Sequence, residues 1–167
     1  MIYHRILVFA ISVMVVACQK DLDVRTPSTP SQQEDCRMIE HQQGATQICG
    51  QPQHIAVLGP FVLEPLLALD IQPFAYADHV AWHQDAYNNP SQDIPYLGEF
   101  VTQPLTNLGL ASQPAIETLL KTKPDLIIGT DFNNADQYQM LSKVAPTLLL
   151  VNSGNTRLLQ AFGDAEF

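Results

Sequence analysis

His79 and His83 stand four residues apart, a spacing at which two imidazoles on one helix face can share a metal ion. No third ligand is fixed by the surrounding sequence, and two surface histidines in a loop explain the pair without a metal. Asp131 follows an apolar run and precedes Asn133 and Asn134. A carboxylate there can act as a general acid or base; alone, it reads as the cap of the following helix. Ser91, Ser112, Ser142 and Ser153 lie in no nucleophile-elbow pattern. "LGPF" (58–61) has the wrong spacing for a phosphate loop and a proline where an amide donor is needed. With no nucleophile–base constellation, the chain is not expected to be an enzyme, and neither cofactor nor metal is expected. Binding chemistry remains. Trp82, Tyr87, Tyr96 and Phe100 fall in one segment of an otherwise aromatic-poor chain. Either they stack on a planar or greasy ligand beside a cleft, or they pack that segment onto the fold.

The elements that must position these residues alternate. "HIAVLG" (54–59) is a short buried strand, and "FVLEPLLALD" (61–70) a helix with Pro65 within its first turns. "PFAYA" (73–77) is a second strand. The polar and aromatic stretch 78–107, with Pro90, Pro95, Gly98 and Pro104, reads as irregular surface loop. "QPAIETLLKTK" (113–123) is a helix with Pro114 near its first position, "DLIIGT" (125–130) a strand, "ADQYQMLSKVA" (135–145) a helix and "TLLLVN" (147–152) a strand. Alternating strands and helices imply parallel pairing, hence a doubly wound α/β lobe with a mostly parallel sheet. Ligands in such sheets sit outside the carboxyl ends of the strands. That rule selects Gly59, Pro60 and Phe61, the loop carrying Trp82, Tyr87 and Tyr96, and Thr130, Asp131 and Phe132 as the rim of a binding cleft.

Upstream, "CRMIEHQQGATQIC" places Cys36 and Cys49 around a Gln-Gln-Gly turn. A hairpin through that turn would bring the cysteines together as a disulfide, contributing about 3 kcal/mol in the chain-entropy model. A free-thiol or metal role lacks further ligands at suitable spacing. The chain opens with Arg5 and an apolar run, Ile6 to Val16, too short to span about 30 Å of hydrocarbon and typical of a secretory signal. Val15-Val16-Ala17-Cys18 resembles a bacterial lipobox, which would cleave after residue 17 and lipidate Cys18; an ordinary signal with an incidental cysteine is the alternative. Stable anchoring needs more than one acyl chain, which a lipoprotein cysteine carries. Residues 18–35, rich in Ser, Thr, Gln and Pro, cannot bury a core and read as a tether. A formal charge of −9 argues against nucleic acid as a partner. The mature chain's fixed cations, Lys20, Arg25, Arg37, Lys121, Lys123, Lys143 and Arg157, avoid the cleft loops.

"IAVLGPFVLEPLLALDIQPFAYA", "NLGLASQPAIETLLKTKPDLIIGTDFNN" and "YQMLSKVAPTLLLV" resemble the iron–siderophore substrate-binding proteins of bacterial ABC importers. The pattern QP-x-x-E-x-L-x-x-x-KPDLIIG is the specific part, shared with haem- and cobalamin-binding relatives. "CRMIEHQQGATQICGQPQHIAVL" resembles the N-terminal hairpin of lipoprotein members. The resemblance covers about residues 36–157. It implies a monomer, lipid-anchored on the periplasmic or outer side of a bacterial membrane, that captures a ferric siderophore and passes it to a permease. Cobalamin or haem is the alternative ligand, and a stand-alone lipoprotein interaction module the alternative class. Glu117 matches the glutamate that docks on permease arginines in related proteins; a solvated helix face is its plain alternative. The family's second lobe is not expected within these residues: 36–152 would form the N-terminal lobe, and 153–167 the start of the inter-lobe helix. One lobe alone is expected to bind ligand weakly or not at all. The lack of cleft arginines favours a roughly neutral hydroxamate, stacked on Trp82 or Tyr87.

Overall fold

A short two-stranded hairpin precedes the main sheet. β1 (Cys36–His41) pairs antiparallel with β2 (Gly44–Cys49), with His41 opposite Gly44, so the turn is Gln42–Gln43. The Cys36–Cys49 disulfide closes its open end, as the sequence predicts. Alternation along the strands buries Ile39, His41, Thr46 and Ile48 and leaves Met38 exposed. This computed structural model describes residues 35–81, 85–151 and 162. The signal, the lipobox with Cys18, the tether up to residue 34, and residues 153–167 apart from Phe162 lie outside the described residues.

The main sheet comprises β3 (Ile55–Leu58), β4 (Ala75–Asp78), β5 (Ala86–Tyr87), β6 (Leu105–Leu110), β7 (Gln113–Pro114), β8 (Leu126–Thr130) and β9 (Thr147–Leu150). Its order is β5-β6-β4-β3-β8-β9, with β7 also on β6. β6, β4, β3, β8 and β9 run parallel; only β5 and β7 are antiparallel to their neighbour. β3, β8 and β9 are short, mostly apolar runs, as strands covered on both faces of a parallel sheet require. One face takes Val57, Tyr76, Ile128 and Leu148 with Val62, Leu63 and Leu66 of α1 (Pro60–Ala68) and Ile39 and Ile48 of the hairpin. The opposite face takes Ala56, Leu58, Ala77 and Ile127 with Leu119 of α3 (Ile116–Thr122) and Leu141 of α5 (Tyr138–Leu141). Each fully buried leucine contributes roughly 1.5–3 kcal/mol. All these elements belong to one unit, Glu34–Phe167.

Two polar devices set the sheet's ends. At the amino edge, Asp125 accepts from the backbone N–H of Gln53 at 2.7 Å and of His54 at 2.9 Å, clamping the start of β3 to that of β8. The hairpin packs against β9, the last strand of the sheet. There the Thr46 hydroxyl donates to the Thr147 carbonyl at 2.7 Å and contacts His41 Nε2 at 2.9 Å. An edge strand left bare would be a template for aggregation, and the hairpin covers it.

Four sequence expectations need correction. The stretch 78–107 is not irregular: it contains β5, α2 (Pro90–Asp93), a 3-10 turn at Gly98–Phe100 and the start of β6. Pro114 lies in β7, and α3 begins at Ile116 with Ala115 as its cap. α1 starts at Pro60, so Pro65 lies in its interior and removes one backbone donor. The helix expected over 135–145 is broken into a 3-10 turn, Ala135–Gln137, and α5.

Candidate functional site

The carboxyl ends of β3 and β8, neighbours in the sheet, each turn directly into a helix and leave an aromatic in solvent. After β3, Gly59 adopts φ 114°, a conformation that glycine reaches without strain, and its carbonyl accepts from Val62 and Leu63 to start α1. Phe61 is then 73% exposed. After β8, the Thr130 hydroxyl accepts from the Asn133 N–H at 3.3 Å and caps α4 (Asp131–Asn134). Phe132 is 94% exposed. Large aromatics that exposed are poorly explained by packing, and two of them follow adjacent strands at one edge.

The turn is held from below. Asn134 is fully buried; its Oδ1 accepts from the Thr130 N–H at 3.1 Å, and its Nδ2 donates to the Ala111 carbonyl at 2.7 Å. It thereby fixes the end of β8 against the loop after β6. Gly129 leaves the space for this carboxamide, since a Cβ there would lie 2.4 Å from Asn134 Oδ1. "GTDFNN" is thus a fixed turn: glycine for clearance, threonine for the cap, the second asparagine for the stitch.

Next along the edge, Asp78 ends β4 and is buried, with Oδ1 2.6 Å from both the backbone nitrogen and Nδ1 of the exposed His79. The Ala111 N–H donates to the Asp78 carbonyl at 2.7 Å, joining the ends of β4 and β6. Gln43 reaches the same edge from the hairpin, its Nε2 donating to Asp131 Oδ1 at 2.8 Å. None of the described residues at this edge is Lys or Arg. Among the described cations, Arg37 donates to the Gly50 carbonyl at the hairpin's open end, Lys121 pairs with Glu117, Lys123 ends α3 and Lys143 follows α5.

The structure places the expected site residues unequally. Gly59, Pro60, Phe61, Thr130, Asp131 and Phe132 gather at the carboxyl edge. Thr130, not Asp131, is the helix cap, because its hydroxyl is the oxygen that faces the Asn133 N–H. Trp82 and His83 lie outside the described residues. Tyr87 is not an exposed stacking platform: it is fully buried, its ring 5.6 Å from that of Tyr76. Burial and, next, the nearby Asp78 carboxylate push both phenols far above the ordinary tyrosine range. Tyr96 and Phe100 belong to an excursion toward the opposite edge, since β5 runs antiparallel to β6. There the Phe100 carbonyl accepts from Gln72 and the Gln103 side chain donates to the Pro73 carbonyl, both before β4. Glu117 is exposed on α3, its Oε1 2.9 Å from Lys121 Nζ. Among the described residues no group of three or more His, Cys, Asp or Glu is placed to hold a metal, and no helix is long and apolar enough to cross a membrane.

The sequence reading missed Gln43, whose only visible signal was a place in a hairpin turn. The edge as a whole offers aromatic faces, backbone polar groups and a carboxylate, which is equipment for holding a ligand.

The chain is similar in sequence and fold to known proteins. Residues 55–163 match a family model described as periplasmic binding protein. The chain is 28% identical over 153 residues to the Fe(3+)-citrate-binding protein YfmC of Bacillus subtilis, covering 89% of this chain and 45% of that one. It is 30% identical over 142 residues to the probable siderophore-binding lipoprotein YfiY of the same organism, covering 84% and 41%. Among solved structures it superimposes on Staphylococcus aureus SirA complexed with staphyloferrin B with a TM-score of 0.56 and 26% identity, covering 68% of this chain and 36% of that one. The chain therefore spans less than half the length of each of these relatives.

Proposed function

Because the chain belongs to the periplasmic binding protein family, we propose that it captures a ferric chelate at the carboxyl edge of its sheet and delivers it to a membrane permease. The observation that carries this reading is the pair Phe61 and Phe132, exposed at the ends of adjacent parallel strands in a fixed frame. Aromatic faces there can stack on the organic shell of a chelate, while Gly59 and Thr130 bring backbone polar groups close to it. No acid–base or nucleophilic step is needed; the chemistry is shape, stacking and hydrogen bonding. The relatives support the same ligand class: one is a ferric-citrate-binding protein, another a probable siderophore-binding lipoprotein, and a third is complexed with staphyloferrin B.

The rim's charge favours a roughly neutral chelate. A highly anionic one is normally gripped by arginine forks, and the described rim has none, whereas it carries Asp131. Trp82 remains the candidate third aromatic. Partners follow from the same reading: a permease that docks on exposed Glu117, and a membrane held through lipid on Cys18. Cys18→Ser should release the protein from the membrane fraction; equal retention would remove the anchor.

The test of ligand capture is titration of the chain with ferric or gallium(III) chelates. Phe61→Ala and Phe132→Ala should each weaken binding about tenfold, the scale of a lost stacking contact of roughly 1.4 kcal/mol. Wild-type affinity in both variants would remove the aromatic edge from the site.

A further inference from the structure

The hairpin does more than cover β9. Its disulfide end lies at the amino edge, where Gly50 leads through Gln53 and His54 to the Asp125 clamp. Thr46 sits at Thr147, the first residue of β9. From Thr46 to Gln43 the chain rises three residues, roughly 10 Å. The same number of steps separates Thr147 from Leu150, and Leu150 lies opposite Thr130. The turn Gln42–Gln43 therefore arrives at the carboxyl edge, where Gln43 Nε2 meets Asp131 Oδ1 at 2.8 Å. Both glutamines are exposed. Burial of Ile39, Ile48, Thr46 and His41 against the sheet keeps the turn at that height.

We propose that the turn Gln42–Gln43 is a wall of the ligand rim, and that Gln43 sets the rim's charge preference by covering Asp131 with a carboxamide. This rests on the ferric-chelate reading above. One Gln43 N–H occupies a carboxylate lone pair, and this exposed carboxamide has a further N–H and a carbonyl oxygen to offer as a neutral donor and acceptor. Such a group suits the oxygen-rich surface of an uncharged chelate. A second carboxylate in its place would repel anionic chelates, and a cation would attract them. At about 8 Å each interaction is modest in water but multiplied by the ligand's charge.

The experiment measures affinities of the full chain for two gallium(III) chelates, an anionic citrate complex and a neutral cyclic trihydroxamate, by NMR titration. The reading is the ratio of the two affinities in the parent, Gln43→Glu, Gln43→Lys and, as a control, Met38→Lys. Met38 is on the same hairpin but three strand residues before the end of β1, roughly 10 Å below the turn. Gln43→Lys should shift the ratio about fivefold toward the anionic complex and Gln43→Glu about fivefold away from it, with Met38→Lys at the parental value. A merely structural role would weaken both chelates alike and leave the ratio fixed. An unchanged ratio in a parent that binds would overturn this inference alone; a parent that binds neither chelate would overturn the ferric-chelate reading and the rim wall with it.

Discussion

Tyr87 shows how a residue's chemistry depends on which side of a sheet it reaches. As a tyrosine in a polar, proline-rich stretch it reads equally as a stacking platform or as packing; the fold makes it packing, against Tyr76. Its hydroxyl is buried with no hydrogen-bond partner among the described residues. An unpaired buried hydroxyl costs about 1–3 kcal/mol, so Tyr87→Phe should leave stability unchanged or raise it at neutral pH, read from the denaturant midpoint. The two phenols also give a pH dependence. Their folded pKa values lie above the unfolded value near 10, so the unfolded state releases its protons first. Stability is then fully present below pH 10 and falls as pH rises beyond it, by up to about 1.4 kcal/mol per pH unit for each tyrosine. Tyr87→Phe should roughly halve that slope; an unchanged slope would mean the ring is not held in the core. Gly129 is the other decisive single residue. Gly129→Ala should destabilise by about 1–3 kcal/mol, because the added methyl meets the buried, hydrogen-bonded Asn134.

At the scale of elements, legibility followed local pattern. β3, β8 and β9 were readable as short apolar runs bounded by Gly and Pro, and the hairpin by its cysteines and turn. β6 was not: "LTNLGL" interrupts its apolar residues with Asn107 and Gly109, and only tertiary pairing with β4, β5 and β7 makes it a strand. Its polar positions are absorbed by contacts no window reveals, the Asn107 N–H donating to Asp85 and its Oδ1 accepting from Gly109. The same holds for the site. The turns after β3 and β8 follow from strand-end rules and were placed in advance, while the Gln43–Asp131 contact spans 88 positions and no local pattern carries it. Replacing Cys36 and Cys49 together by alanine should lower stability by about 3 kcal/mol, in line with closure of a loop of this length. Hydrogen exchange should quicken first in β1 and β2 and next in β9, which the hairpin covers. Uniform loss across the sheet would mean that hairpin and sheet unfold as one block.

Across the described residues, a mostly parallel sheet carries the exposed Phe61 and Phe132 at its carboxyl edge, and α3 carries an exposed Glu117–Lys121 pair. If Glu117 meets the permease, Glu117→Ala should impair cellular uptake while leaving chelate affinity unchanged; reduced affinity would move Glu117 into the ligand site. If a ferric chelate sits at the carboxyl edge, titrating isotope-labelled chain with a diamagnetic gallium(III) trihydroxamate should reveal it there. NMR reports weak binding as readily as tight binding, so millimolar affinity is sufficient. Shift changes should concentrate at Gly59–Phe61, Gly129–Asn133 and Gln42–Gln43. Changes concentrated instead at the amino edge, around Tyr96–Gln103 and Asp125, or no changes at millimolar chelate, would contradict that placement.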